Sequence, residues 1–231
     1  MSGPDIAPLA AKLERRFRTL TTEFEVAGRR ITLMHPASAE ELISEDDFAV
    51  DERLPYWAEV WPSAIVMARL VGRLPGEGRS LLELGCGAGL VATAAAQAGF
   101  AVTATDYYED ATRFAQVNAS ANAGVTIAAR MVDWRDLPAD LGRFDVVVAS
   151  DVLYERPYGE LVAQVIAATL APEGTAWLTD PGRVGREGFV ASCGALGLAV
   201  ETVDREEFEY PGAVRKQKID VFRIRRGGKT A

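Results

Sequence analysis

Three glycines and four acids carry the most chemical promise in this chain. Residues 81–89 read Leu-Leu-Glu-Leu-Gly-Cys-Gly-Ala-Gly, and an aspartate closes the next strand at Thr105-Asp106. The pattern describes a buried strand that carries Glu83, a glycine turn and a helix start. Gly85 and Gly87 let the backbone approach a ligand without a Cβ clash, with Cys86 between them. Asp106 can accept hydrogen bonds from both hydroxyls of a ribose, and an ionised acceptor makes such bonds strong. The dinucleotide fingerprint is G-x-G-x-x-G, but here the sixth position is Leu90 and the third glycine, Gly89, comes one residue early. A Walker loop ending in Gly-Lys-Ser/Thr is absent.

Two further acids follow later strands. Val132-Asp133-Trp134 offers a carboxylate for an adenine amino group and a ring to cover the base, or else a capping aspartate and a half-buried tryptophan. Ser150-Asp151-Val-Leu-Tyr154 follows the apolar run Asp145-Val-Val-Val-Ala149. Asp151 is placed either to hold an acceptor group by hydrogen bonding or to cap the following turn. Tyr154 either shapes the acceptor slot and meets a cation through its ring or packs in the core. Tyr56, Trp57 and Trp61 precede the main pattern and either roof a pocket or pack the N-terminal segment. Arg183, in Thr179-Asp-Pro-Gly-Arg183, contacts either a substrate or a loop acid. His35 reads as a hydrogen-bonded structural residue. A ligand with a ribose and no phosphates suits the glycine spacing, and S-adenosyl-L-methionine is such a ligand, with S-adenosyl-L-homocysteine as its product. Methyl transfer is a direct displacement, so the protein needs no nucleophile of its own. Alignment of the reactants alone is worth roughly 7–11 kcal/mol.

These residues need strands to carry them. From Ser80 the chain alternates strand and helix. Strands are expected at 80–84, 101–105, 126–130, 144–149 and 174–179, and helices at 88–98, 109–122, 157–170 and 186–196. Gly99 stands where the first of these helices should stop. Two strand signals near 198–203 and 218–225 follow with no clear helix between them. The expected fold is α/β: a Rossmann-like, seven-stranded, mostly parallel sheet with one antiparallel strand and helices on both faces. Glu83, Gly85, Gly87, Asp106, Asp133, Ser150 and Asp151 then fall at or just after carboxyl ends of strands, where open sheets of this kind bind ligands. Upstream, residues 9–20 suggest an amphipathic helix on Leu9, Leu13 and Phe17. Phe24 and Val26, a turn at Gly28, then Ile31 and Leu33 suggest a β-hairpin. Residues 38–43 suggest a short helix capped by Ser38 with Glu41 three on. Residues 44–55 are acidic and irregular, and Trp61-Pro62 opens a helix to about Gly72. The expected organisation is an N-terminal extension over 1–60, a catalytic domain over 61–226 and a tail over 227–231.

Composition narrows the classes. The chain has 231 residues, 48% of them hydrophobic, enough for one packed domain. No apolar run approaches the roughly 18 residues of a membrane span. The N-terminus lacks the order of a signal peptide. Two separated cysteines, Cys86 and Cys193, argue against a disulfide framework, and the default compartment is the cytoplasm. One histidine and two cysteines make no common zinc site, so no metal is expected. Net charge is −8, from 25 basic and 33 acidic residues, which argues against a nucleic-acid partner. Arg223, Arg225, Arg226 and Lys229 cluster near the C-terminus and read as a solvated tail.

The stretch Glu83-Leu-Gly-Cys-Gly-Ala-Gly89 with Asp106 resembles the cofactor motifs of class I S-adenosylmethionine-dependent methyltransferases. Trp57-Ala-Glu-Val-Trp61-Pro-Ser-Ala64, Asp133-Trp134 and Asp151-Val-Leu-Tyr154 are similar to the protein lysine methyltransferases of methyltransferase family 16. Asp180-Pro-Gly-Arg183 resembles the branch acting on the electron-transfer flavoprotein β-subunit, although the glycine motif here is the standard form and not that branch's divergent one. The resemblance covers roughly residues 53–183. It implies Trp61, Gly85, Cys86, Gly87, Asp106, Trp134 and Ser150 against the cofactor, and Asp151 and Tyr154 at a lysine entrance. The leading expectation is methylation of a lysine on a protein substrate. Its rivals are a small-molecule amine, hydroxyl or carboxyl acceptor on the same fold, and a non-catalytic nucleotide-binding or interaction module. A nicotinamide dehydrogenase is disfavoured by the glycine spacing.

Overall fold

A computed structural model describes residues 6–42, 55–209 and 216–227. Most of the acidic segment expected at 44–55 therefore lies outside the described residues, as does Lys229.

Helix α1 (Ala7–Arg16) opens the described chain and buries Leu13. It is shorter than the expected 9–20. Phe17 turns extended, and Thr19–Val26 form strand β1. Thr19, Thr21 and Thr22 are β-branched, which disfavours helix, and a partner strand supplies the ladder instead. That partner is β2 (Arg29–Pro36), paired antiparallel with Val26 opposite Arg29. Ala27 and Gly28 form the two-residue link, both at positive φ (50° and 75°), as the tight hairpin turns matched to strand twist require. The short helix expected at 38–43 is a single 3-10 turn, Glu40–Leu42, whose Glu40 N–H donates to the Ser38 hydroxyl at 3.1 Å. A second 3-10 turn, Tyr56–Ala58, precedes α2 (Pro62–Val71), with Pro62 in the first turn as its sequence foretells.

The remaining elements alternate: β3 (Ser80–Leu84), α3 (Leu90–Gln97), β4 (Ala101–Asp106), α4 (Glu109–Ala123), β5 (Ala128–Met131), β6 (Phe144–Ser150), α5 (Arg156–Thr169), β7 (Leu170–Asp180), α6 (Arg186–Ala195), β8 (Leu198–Phe208) and β9 (Gln217–Arg226). Seven strands make one sheet in the order β5-β4-β3-β6-β7-β9-β8. Every pairing is parallel except those of β9, which runs antiparallel to both β7 and β8. The expected α/β architecture stands. The expected strands 174–179 and 198–203 are longer than foreseen, because β7 starts directly after α5 and β8 continues alongside β9.

The sheet is buried on both faces, and its central strands divide residue by residue between the two. Leu81, Val146 and Val148 pack under α2, α3 and α4, while Leu82, Leu84, Val147 and Ala149 pack under α5 and α6. This period of two in an unbroken apolar run is how a central parallel strand serves two cores. The hairpin joins the first core through Val26, Ile31 and Leu33. Its β2 edge is closed by side chains of α4. Asn118 and Asn122 sit one turn apart on that helix, and each exchanges hydrogen bonds with the backbone of Met34 or Thr32 as a neighbouring strand would, at 2.7–3.0 Å.

The C-terminal arginines correct an expectation. Arg223, Arg225 and Arg226 lie within β9 and are no tail. Arg223 pairs with Glu201 at 2.5 Å, and Arg226 donates to the carbonyls of Ala167 and Leu170 at the end of α5. Those last-turn carbonyls lack helical donors of their own. Cys86 and Cys193 are both buried free thiols. No described helix is long and apolar enough to cross a membrane.

Candidate active site

Strand order reverses between β3 and β6. Successive strands run outward from β3 through β4 to β5, then from β6 through β7 on the other side. A crevice opens outside the carboxyl ends at such a point. It is occupied here by a cavity of about 220 Å³. Trp61, Glu83, Gly85, Cys86, Gly87, Asp106, Asp133, Trp134, Ser150, Asp151 and Tyr154 all line it. So do Tyr56, Trp57, Glu59, Glu155 and Tyr158.

The glycine bend after β3 passes through left-handed backbone at Gly85, Gly87 and Gly89 (φ 70°, 50° and 86°). Two of these positions tolerate no side chain for a second reason. A Cβ on Gly87 would stand 2.9 Å from the Trp57 carbonyl oxygen, and one on Gly89 would stand 2.4 Å from the Ala115 Cα. Gly89 thus brings the start of α3 against α4, while Gly87 admits the 3-10 turn that carries Tyr56 and Trp57.

Asp106 ends β4 and is 6% exposed. Its Oδ2 accepts the Gly87 N–H at 2.9 Å and its Oδ1 accepts the Tyr108 N–H at 3.0 Å. Each oxygen keeps a second acceptor direction. Burial pushes its pKa up to about 6, against the pull of those N–H donors. Glu83 is buried in β3 at the same cavity, and its Oε2 has no hydrogen-bond partner. Burial raises its pKa well above the carboxylate range, opposed by the Ala92 N–H. Burial, with Asp106 and Glu83 close by, likewise raises the Cys86 thiol. A buried carboxylate oxygen left without a donor is costly unless a ligand supplies one. The Trp134 Nε1–H is a second buried orphan facing the same problem. These groups fit a ligand bearing an amine, ribose hydroxyls and a flat base.

Asp133 departs from the simple picture of an adenine acceptor. Its carboxylate takes up the Arg135 guanidinium at 2.6–3.0 Å, which occupies part of its acceptor capacity. Trp134 stands edge-on to Tyr158 at 5.9 Å between centroids. Tyr158 meets Tyr154 at 5.0 Å, and Tyr154 meets Tyr56 at 5.4 Å, so the rings form a continuous arc along the cavity wall. Burial, with Tyr158 beside it, holds the Tyr154 phenol well above its usual range and therefore protonated. Trp57 divides its surface: it lines the cavity and also packs on Phe17 and Phe114.

Asp151 sits just past β6 in left-handed backbone, φ 59°. A residue with a Cβ adopts that conformation at about 1–2 kcal/mol. Its side chain accepts the Ser63 hydroxyl at 3.0 Å and the Arg183 Nε–H at 2.6 Å. Of the two alternatives open for Arg183, pairing with a loop acid is the observed one. Ser63 and Tyr158 escape the sequence reading. Ser63 lies 88 positions from Asp151 and only the sheet brings them together. Tyr158 is four residues after Tyr154, but helix α5 begins between them, so no periodicity flags the pair. His35 bonds to Thr22 and to the Pro36 carbonyl and does not line the cavity.

Residues 62–224 match the family described as a methyltransferase domain. Among curated proteins, the chain is 31% identical over 143 residues to a ubiquinone biosynthesis O-methyltransferase of Chromobacterium violaceum, covering 62% of this chain and 61% of that one. It is 39% identical over 105 residues to the protein of that name from Caulobacter sp., covering 45% and 41%. The chain thus spans less than two thirds of the length of these relatives. Among solved structures, a T. thermophilus 16S rRNA methyltransferase in complex with AdoMet and guanosine superposes with TM-score 0.62 at 19% identity, over 90% of this chain and 51% of that one. The ribosomal protein L11 methylase of Lactobacillus delbrueckii superposes with TM-score 0.53 at 20% identity, over 70% and 77%. These two likenesses concern the fold. With the family match spanning most of the sheet and the whole glycine bend, the chain belongs to the methyltransferase-domain family, the class I fold that uses S-adenosyl-L-methionine.

Proposed function

We propose that this protein transfers a methyl group from S-adenosyl-L-methionine to a small-molecule hydroxyl or amine acceptor. The observation that carries the reading is the meeting of the glycine bend, Glu83, Asp106 and Asp151 in one cavity outside the carboxyl ends of β3, β4 and β6. The donor, when bound, supplies an electrophilic methyl on a sulfonium, which the acceptor's lone pair displaces. In this reading Asp106 accepts from the ribose hydroxyls, Glu83 takes the donor's amino group, and Trp134 covers the base. Gly85 and Gly87 bring the backbone close enough to fix the donor's chain, and Trp61, Cys86, Asp133 and Ser150 complete its walls. Asp151 receives the acceptor's O–H or N–H, and Tyr154 borders the slot. The family relatives named above act, by their names, in O-methylation, which supports a small-molecule acceptor over a protein.

A lysine side chain of a protein is the second reading. Asp151-Val-Leu-Tyr154 suggests it, and Glu59, Glu155 and the tyrosine arc give the cavity wall negative charge and ring edges and faces, an environment suited to a cation. The experiment that separates the two uses tritiated S-adenosyl-L-methionine and a cell extract divided into small-molecule and protein fractions. Label in the small-molecule fraction is the expected result. Label confined to protein, lost after Asp151→Ala, supports lysine instead. No binding of S-adenosyl-L-homocysteine by calorimetry refutes both.

A further inference from the structure

We propose that Arg183 is a positioning residue of the acceptor site: its guanidinium, together with the Ser63 hydroxyl, sets where the Asp151 carboxylate points. The inference rests on the reading of Asp151 as the acceptor-side group. Asp151 holds a left-handed backbone (φ 59°), the kind of conformation that persists only where its surroundings enforce it and that collects at functional sites. Its side chain is 4% exposed. Each carboxylate oxygen receives one donor, and each donor comes from a different element. Ser63 at the start of α2 reaches Oδ2 at 3.0 Å, and Arg183 in the turn after β7 reaches Oδ1 at 2.6 Å.

Arg183 is itself held in place. Its backbone N–H donates to the buried Asp180 carboxylate at 3.1 Å, and its guanidinium lies 5.2 Å from the centroid of the Trp61 ring. Asp180 closes β7, so an unbroken line of contacts runs from the sheet through Arg183 to the cavity. Asp151 lines that cavity, whereas Ser63 and Arg183 do not. Ser63 therefore acts on the acceptor through Asp151, and Arg183 through Asp151 and, by the contact that Arg183→Met is chosen to preserve, the Trp61 ring. Contact through Nε alone, opposed by a single hydroxyl, leaves each oxygen a second lone-pair direction. An acceptor O–H or N–H that donates along it has its own lone pair aimed by the Ser63–Asp151–Arg183 chain.

The test uses the full chain, tritiated donor and the extract fraction that takes up label with the unaltered protein. Arg183→Met keeps the aliphatic stem near Trp61 and removes the charge. Affinity for S-adenosyl-L-homocysteine should stay within about 2-fold, while the maximal rate at saturating extract falls by about 100-fold, the scale of a small misplacement of a reacting group. Arg183→Lys should recover part of that rate, because it restores the charge without the planar fork. Ser63→Ala should lower the rate by about 5- to 10-fold, the worth of one hydrogen bond. A folded Arg183→Met protein with a maximal rate within about 2-fold of the unaltered one overturns the proposal, since no transition-state interaction has then been lost. Should Arg183→Met fail to fold, Ser63→Ala decides alone, and an unchanged rate overturns the proposal. If the unaltered chain binds no S-adenosyl-L-homocysteine or labels no fraction, the methyl-transfer reading has failed and carries this inference with it. Binding and labelling that ignore both substitutions sink this inference only.

Discussion

Burial of Asp106 gives the cavity a pH dependence. Its pKa is pushed up to about 6 by burial. In the proposed function the ribose acceptor is the Asp106 carboxylate, so affinity for S-adenosyl-L-homocysteine should rise as pH rises through about 6 and weaken by about 10-fold per unit below it. Calorimetry from pH 5 to 8 checks this, and Asp106→Asn should give weak, pH-independent binding across that range. The stability of the donor-free protein should show the opposite sign. Its folded pKa lies above the unfolded value, so Asp106 favours folding most under acid conditions and that contribution is lost as pH rises through about 6. Glu83 is shifted in the same direction by burial and adds to the trend. On the proposed acceptor side, Asp151→Ala should leave donor affinity within about 3-fold of wild type and remove nearly all turnover, because the proposed function gives Asp151 alignment of the acceptor and not donor binding. Turnover near wild type would displace Asp151 from that role. The acids of both halves were legible from residue type and position after a strand. The partner of Asp151 was not, since an arginine in a turn is compatible with any acid within reach.

Two helices make the cavity possible, and each depends on one contact that a substitution can probe. Gly89 caps α3 in left-handed backbone and lets α3 approach α4. Gly89→Ala places its Cβ at 2.4 Å from the Ala115 Cα, so the pair of helices must separate. Overpacking against backbone on top of the φ strain should cost about 2–4 kcal/mol, read as a lower midpoint in urea. Asn118 on α4 is the second case. It bonds to the Met34 N–H and carbonyl and to the Ala88 carbonyl at 2.7–2.8 Å. Asn118→Ala strands buried backbone groups and should cost about 2–4 kcal/mol, roughly 5–15 °C in Tm for a chain of this size. Hydrogen exchange should localise the loosening to β2. The elements themselves were readable to within a few residues because their apolar periods are local. The stripe of Leu9, Leu13 and Phe17 predicts a helix that runs on to residue 20, but the threonines beyond Phe17 gain more from pairing with β2.

The first described segment and the sheet behave as one body in this molecule. Val26, Ile31 and Leu33 of the hairpin share a core with Met67, Val71 and Leu81. Phe17 packs on Trp57 and Phe114 beside the cavity. We propose accordingly that the N-terminal extension is not separable. Removal of residues 1–36 should give a chain that exposes the α2 and α4 faces and fails to show a cooperative thermal transition, checked by calorimetry and size-exclusion chromatography. A truncated chain that melts cooperatively and binds S-adenosyl-L-homocysteine would mark the hairpin as an appendage. Composition could only say that one domain with a sizeable core fits the length. It could not say that the hairpin completes that core.

Read alone, the amino-acid order specified the alternation of strands and helices, the glycine bend and the acids after the strand ends. All are short-range properties, since backbone preference, side-chain period and burial on both faces are written in neighbouring residues. Which polar groups pair across the molecule was settled by strand order and register. Ser63 and Arg183 meet Asp151, Asn118 meets Met34, and Arg226 meets the end of α5, only because β6 lies beside β7 and the hairpin docks on α4. A charge or an amide carries no record of its distant partner. It becomes selective only when folding removes water and leaves one neighbour within reach.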